Sequence, residues 1–154
     1  MANQPTGTAI KTRTTFRLEC SVSNIIKANP EKIWKLLTDA ANYTKWNSSL
    51  ESLEGNIRLG GTVKMKVPQA PGRVFKVKVK EFTPNKSMLW QDGFAPMFIG
   101  RRYFTLQPKA DGTTIFTMSE VFSGLMLPMI AGKLPDFAPI FERYAADLKK
   151  AAEV

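Results

Sequence analysis

The stretch Arg73–Phe82, RVFKVKVKEF, decides the fold class. In it, apolar side chains alternate with lysines in the order Phe75, Lys76, Val77, Lys78, Val79 and Lys80. A period of two residues is typical of a β-strand, because successive side chains point to opposite faces of the sheet. This stretch therefore predicts a strand with one dry face and one wet face, as in an antiparallel sheet that is covered on one side.

Further strands are predicted on both sides of this stretch. They cover Thr14–Lys27, Ser52–Leu59, Thr62–Val67, Met88–Asp92, Arg101–Gln107 and Thr113–Phe122. Gly60-Gly61 and Asp111-Gly112 are turn pairs between consecutive strands, and the second is a strong hairpin signal. Short connections of this kind predict one antiparallel sheet of seven strands.

Two helical segments flank these strands. Asn29-Pro30-Glu31 has the composition of a helix start, with a capping side chain, a proline at the first helical position and an acid near the positive helix end. Near the C-terminus, apolar residues recur at helical spacing: Phe137, Phe141, Tyr144 and Leu148. A one-sided sheet must cover its dry face. The sequence therefore predicts an α+β domain in which a curved sheet wraps around a long C-terminal helix.

Composition excludes several kinds of site. The chain of 154 residues has no histidine and one cysteine, Cys20. Catalytic arrangements built on histidine are therefore excluded, and transition metals have almost no ligands. We predict no metal and no cofactor, and the sequence identifies no catalytic residue.

The cellular setting and domain limits are expectations of the same kind. A polar start without an apolar core argues against a secretory signal, and no apolar run approaches the roughly 20 residues that span a bilayer. The single cysteine favours a reducing, cytoplasmic compartment. We expect a flexible tail over residues 1–12 and one domain over residues 13–154, whose oligomeric state the sequence leaves open.

Several motifs together resemble the START-like (SRPBCC) superfamily, in particular its small bacterial polyketide cyclase/dehydrase-like members. The resembling residues are Asn29-Pro30-x-x-Ile33-Trp34, Tyr43-x-x-Trp46, Leu59-Gly60-Gly61-Thr62, Phe104-x-Leu106-x-Pro108, Asp111-Gly112-Thr113-Thr114 and Glu120-x-Phe122-Ser123-Gly124. This resemblance covers about residues 14–152 and implies the helix-grip fold. It also implies an internal cavity for an apolar or aromatic small molecule, such as a lipid, a quinone or a polyketide. A polyketide cyclase or dehydratase is the first alternative.

Strand parity and the resemblance together give a candidate ligand-binding set. It consists of Met65, Phe75, Trp90, Phe94, Met97, Arg102, Phe104, Met118, Glu120, Phe122, Met126, Met129, Phe137 and Phe141. Methionine suits an adaptable apolar pocket, because its thioether chain repacks easily. The alternative for each apolar member is a place in an ordinary dry core.

Arg102 and Glu120 are the charged members of this set. Parity places both on the inner face, on two strands that the Asp111-Gly112 turn joins. An unpartnered buried charge is costly, so we expect the two to pair with each other or with a ligand. Many relatives carry a histidine at the position of Arg102, where this chain has a permanent guanidinium charge. A structural ion pair without a functional role is the alternative.

Two surface features complete the prediction. The loop Gly93–Gly100 contains Phe94, Met97 and Phe98, which suggests a cavity lid or a membrane-touching tip. One basic strip is formed by Lys64, Lys66, Lys76, Lys78 and Lys80 within a chain of net charge +9. This strip could meet an anionic membrane surface or serve a protein-interaction module, although lysines also decorate strands for solubility alone. No aromatic residue interleaves with it, so we predict no nucleic-acid binding.

Overall fold

The computed structural model describes residues 5–154 and has one antiparallel sheet of eight strands in the spatial order β1-β2-β8-β7-β6-β5-β4-β3. The strands are β1 (Ile10–Thr14), β2 (Arg17–Ile26), β3 (Ser52–Gly55), β4 (Thr62–Lys66), β5 (Phe75–Thr83), β6 (Ser87–Phe94), β7 (Phe98–Pro108) and β8 (Thr114–Ser123). The helices are α1 (Pro30–Thr38), α2 (Tyr43–Trp46), α3 (Leu127–Ile130) and α4 (Phe137–Ala152). This is the α+β, helix-grip arrangement that the sequence predicts.

The strand missing from the sequence prediction is β1. Ile10–Thr14 pairs with β2 across a turn at Thr15 and Phe16, although we expected a tail up to residue 12. All five side chains of β1 are exposed. A strand without a dry face carries no period-two pattern, which is why the sequence does not reveal it. Residues 1–4 of the expected tail lie outside the described residues.

The β6–β7 connection is much shorter than the expected loop Gly93–Gly100. Both strands extend into that stretch, and only residues 95–97 remain as a turn. Gly93 allows this tight pairing, since it has a φ of +87° and a Cβ atom there would lie 2.1 Å from the carbonyl oxygen of Phe98. The apolar residues of this stretch therefore belong largely to a hairpin.

The two helices predicted from sequence are confirmed. The side chain of Asn29 accepts a hydrogen bond of 2.9 Å from the backbone N–H of Lys32 and caps α1. Asp136 caps α4 through the N–H of Ala138, so the long helix begins after Pro135. Cap bonds of this type satisfy N–H groups that have no partner within the helix.

The core lies between the inner face of the sheet and α4. Its fully buried members include Tyr43, Tyr144, Phe104, Phe116, Phe141, Met88, Met118 and Leu148. They come from α2, from the neighbouring strands β6, β7 and β8, and from α4, and they form the packed half of the grip. The other half of the grip holds the cavity.

Candidate ligand-binding cavity

A cavity of about 460 Å³ lies between the sheet and the segment that leads into α4. Its apolar wall on the sheet side consists of Met65, Val67, Phe75, Val77, Trp90, Phe98 and Phe122. On the helix side the wall consists of Ile130, Leu134, Pro135, Phe137 and Ile140. A mostly apolar, concave site of several hundred cubic ångströms is typical of small-molecule binding.

The mouth of the cavity is marked by lining residues that are exposed to solvent. They are Gln69, Arg73, Asp92, Lys133 and Pro135. The β4–β5 loop, the β6–β7 hairpin and the segment between α3 and α4 therefore surround the opening. The cavity is open at this end of the sheet and closed by the core at the other.

Seven residues of the predicted set line this cavity. They are Met65, Phe75, Trp90, Arg102, Glu120, Phe122 and Phe137. Three other members, Phe104, Met118 and Phe141, are fully buried behind the wall as core residues. Strand parity identifies the face of Phe104 and Met118, and helical spacing identifies the face of Phe141, but neither pattern shows where along the sheet α4 packs.

The remaining four predicted residues lie outside the cavity lining. Phe94 and Met129 are surface residues, with 70% and 74% of their area exposed. Met97 and Met126 are partly buried against each other's backbone, with a hydrogen bond of 2.9 Å from the Met126 N–H to the Met97 carbonyl. In α3, Leu127 and Ile130 face inward, so Met129 faces solvent.

Arg102 and Glu120 form an ion pair in the cavity wall. They are directly opposite each other on β7 and β8, and Arg102 Nε donates a hydrogen bond of 2.7 Å to Glu120 Oε2. Only 17% and 12% of the two side chains are exposed. The guanidinium carbon also lies 5.1 Å from the centre of the Phe141 ring, a cation–π geometry. The structure thus brings the two predicted charges together in the cavity.

The electrostatic environment keeps this guanidinium charged. Burial lowers the pKa of Arg102, but the nearby Glu120 carboxylate, assisted by Tyr144 and Tyr43, outweighs burial and raises that pKa above its ordinary value. Burial also raises the pKa of Cys20 to about 11. Cys20 lies on β2, directly opposite Glu120 on β8. Cys20 is therefore a neutral thiol beside the pair, and Arg102 is a permanent cation.

An aromatic cluster supports the pair from behind. The ring centres of Trp90 and Phe104 are 4.8 Å apart, and the hydroxyls of Tyr43 and Tyr144 share a hydrogen bond in the buried interior. Burial raises the pKa of Tyr43 well above its ordinary range and that of Tyr144 to about 12. Both tyrosines stay protonated at neutral pH, so neither serves as a base.

Trp90 is in the predicted ligand-binding set, but the sequence assigns no role to its indole N–H. It is 2% exposed and lines the cavity, yet its Nε1–H makes no hydrogen bond to the described residues. Buried indole N–H groups usually have a partner. Trp90 is the cross-strand neighbour of Arg102 on β7.

Gly100 is a site residue that the sequence analysis missed. A Cβ atom at this position would lie 3.2 Å from the Phe122 ring and 3.6 Å from Glu120 Oε1. The missing side chain therefore lets the Phe122 ring pack close to the backbone of Gly100, beside the ion pair. A glycine within a strand pattern is a known signal for a close approach and could have identified it.

The basic strip lies on the opposite face of the sheet. Lys64 and Lys76 are directly opposite each other on β4 and β5, and all five lysines are exposed. Like charges in direct cross-strand register repel each other. This strip makes no contribution to the cavity wall.

Other kinds of site receive no support within residues 5–154. No group of three or more His, Cys, Asp or Glu side chains there is arranged to hold a metal ion. Among the same residues, no helix has the length and hydrophobicity needed to cross a bilayer.

Comparison with known proteins gives the family. A family model described as polyketide cyclase / dehydrase and lipid transport matches residues 12–153. The chain belongs to this family. The resemblance to the START-like superfamily drawn from the sequence motifs is thereby confirmed. No curated protein matches this family member in sequence.

Solved structures with the same fold align with this family member over most of its length. A conserved protein of unknown function, EF2215 from Enterococcus faecalis, is 16% identical with a TM-score of 0.67, over 95% of this chain and 77% of its own. Norcoclaurine synthase from Thalictrum flavum, a point mutant in complex with a transition-state analogue, is 13% identical with a TM-score of 0.65, over 92% and 97%. The Aha1 dimer from Colwellia psychrerythraea is 23% identical with a TM-score of 0.65, over 88% and 96%. At these identities the similarity shows the fold alone.

Proposed function

We propose that this protein binds and carries an apolar or aromatic small molecule, of lipid, quinone or polyketide type, in the cavity. The observation that carries this proposal is the cavity itself, whose wall is apolar except for one ion pair and a few residues at the mouth. The family description, which includes lipid transport, supports the same class of ligand. A cytoplasmic location is part of the proposal.

The ion pair gives the ligand an orientation. Arg102 uses Nε to hold Glu120, and a guanidinium has further N–H donors in a fixed fork. Together with the Trp90 indole N–H, these donors suit a carbonyl, enolate or carboxylate oxygen at one end of an apolar body. Gly100 lines the cavity beside the pair and places no side chain there.

A cyclase or dehydratase is the second candidate, because the same pair would serve it. Arg102 would stabilise an enolate oxygen, and the Glu120 carboxylate would accept a proton. The norcoclaurine synthase comparison shows that the fold can hold a catalyst, although not that this chain is one. Turnover of a ligand recovered from the protein would distinguish the two candidates.

The basic strip adds a proposal about the partner surface. Five exposed lysines on neighbouring strands, in a chain of net charge +9, favour weak contact with an anionic membrane surface. The lysines would act at the outer face of the sheet, while the ligand occupies the inner face.

Filling the cavity tests the proposed function. Val77 lines the cavity, whereas Lys78, the next residue on β5, is exposed on the other face. We expect Val77→Trp to weaken binding of the dye anilinonaphthalene sulfonate by at least about tenfold, because the indole occupies the space of the probe. The matched control Lys78→Trp should bind like the unaltered protein in a fluorescence titration.

Circular dichroism and cooperative unfolding must show that both variants keep the native fold, since partly folded states also bind this dye. Equal affinity in the two folded variants would place the dye outside the cavity and would contradict the proposal.

A further inference from the structure

Large apolar side chains are exposed at one end of the sheet, around the mouth of the cavity. The four that define this apolar rim are Phe16 at 51%, Phe94 at 70%, Leu125 at 58% and Met129 at 74% exposure. Strand register brings Phe16, Phe94 and the end of β8, which precedes Leu125 and Met129, to this end of the sheet, because Arg17 is paired with Ser123, which is paired with Ile99. The β1–β2 turn, the β6–β7 turn and the end of β8 therefore meet at this end.

Backbone hydrogen bonds join the segments of the apolar rim. The Gly124 N–H donates to the Phe16 carbonyl at 3.2 Å, and the Leu125 N–H donates to the Pro96 carbonyl at 3.0 Å. Gly124 has a φ of +131°, and a Cβ atom there would lie 2.3 Å from the Met97 carbonyl oxygen. Backbone hydrogen bonds thus hold two turns and the end of β8 side by side in the rim.

The elements that carry the rim also line the cavity. Phe98 begins β7 after the turn that follows Phe94, and Ile130 follows Met129; both Phe98 and Ile130 lie in the cavity wall. The mouth residues Asp92 and Lys133 are also close in the chain to Phe94 and Met129, so the mouth and this part of the rim share the same segments. Isolated exposed apolar residues need no explanation, but a group around an opening marks a contact surface.

Several cationic side chains lie at the cavity mouth or next to rim residues in the chain. Arg73 and Lys133 lie at the mouth, and Arg17 follows Phe16 directly. The acid at the mouth is Asp92, which accepts a hydrogen bond from its own neighbour, the Gly93 N–H, and Glu19 is paired with Arg17. Exposed apolar tips flanked by cations complement an anionic lipid interface, where apolar groups enter the acyl boundary and cations meet headgroups.

We propose that the apolar rim inserts into the surface of an anionic lipid bilayer, so that the cavity mouth opens onto the lipid. The rim side chains come from the β1–β2 turn, the end of β6, the segment after β8 and α3, and the cations beside them favour an anionic lipid surface as the occupant. The proposal goes beyond ligand binding, because it assigns a membrane contact to residues outside the cavity wall. It is tested on protein without added ligand.

The test is co-sedimentation with vesicles of phosphatidylcholine that contain phosphatidylglycerol, compared with vesicles of phosphatidylcholine alone. The variant is Phe94→Ser with Met129→Ser. The matched control is Leu59→Ser, which removes a side chain of 65% exposure from the β3–β4 turn, at the other end of β4 from the mouth. We expect the unaltered protein and the control to bind the anionic vesicles, and the double variant to lose about tenfold or more in affinity.

Three outcomes would overturn the inference: no binding of the unaltered protein to anionic vesicles at low salt, equal binding of the double variant, or equal loss in the Leu59→Ser control. Self-association that disappears in the double variant, measured by analytical ultracentrifugation, would also overturn it in favour of a second copy of this chain. Dye binding in the same samples separates this inference from the proposed function. If the double variant binds both the dye and the anionic vesicles as tightly as the unaltered protein does, only the membrane contact is rejected and the proposed function stands.

Discussion

Replacement of Arg102 by methionine is expected to lower the free energy of unfolding by about 3 kcal/mol, because it leaves the Glu120 carboxylate without its cation in a largely apolar wall. Glu120 is only 12% exposed and accepts its 2.7 Å hydrogen bond from Arg102. The double variant Arg102→Met with Glu120→Leu removes both charges. It should recover most of the loss, since an apolar pair of similar size avoids the cost of desolvating two ions.

Urea denaturation of the unaltered protein, the single variants Arg102→Met and Glu120→Leu, and the double variant forms a double-mutant cycle. This cycle measures the interaction free energy between the two side chains. Additive effects of the two substitutions on the free energy of unfolding would show that the two groups do not depend on each other.

A contrast between two phenylalanines of the sheet has the other large expected effect. Phe104 is fully buried, with its ring centre 4.8 Å from that of Trp90, whereas Phe75 lines the cavity and is partly exposed. We expect Phe104→Ala to cost about 3–5 kcal/mol of stability, as for other large-to-small changes in a packed core. Phe75→Ala should cost only about 1 kcal/mol, because the ring already faces an open space.

Ligand binding should follow the opposite order. Phe75→Ala removes part of the cavity wall and should weaken binding of the dye. Folded Phe104→Ala protein, studied at low temperature, keeps all the wall residues and should bind the dye more tightly than Phe75→Ala does. Chemical denaturation and the dye titration measure the two effects on the same samples. If Phe75→Ala were the more destabilising change, the division of the grip into a packed half and a cavity half would be wrong.

The sequence predicts the architecture well because each element carries a local signal. The alternation in β5 and the capping residue Asn29 are visible without any tertiary information, and both lie where they are expected. β1 carries no such signal, since all its side chains are exposed and its place depends on pairing with β2. The Gly93–Gly100 stretch is read as a loop because its strand pairing depends on a glycine with positive φ.

The candidate site is predicted only in part, and for a physical reason. Parity gives the face of each residue in a strand, so Arg102 and Glu120 are correctly placed on the inner face and opposite each other. Parity does not give depth along the strand, so Phe104 and Met118 become core while Gly100 becomes cavity wall. Whether Met129 faces the cavity or solvent depends on the orientation of the short helix α3. The apolar run around Met129 does not specify that orientation.

Native mass spectrometry of freshly purified protein tests whether the cavity holds a ligand. We expect the unaltered protein to carry a bound small molecule that is mainly apolar and bears an oxygen acceptor. Folded Val77→Trp protein should lack this molecule, while Lys78→Trp should retain it. The same molecule bound equally by Val77→Trp and Lys78→Trp, or an unaltered protein that neither retains nor takes up any apolar molecule, would show that the cavity is not a ligand site.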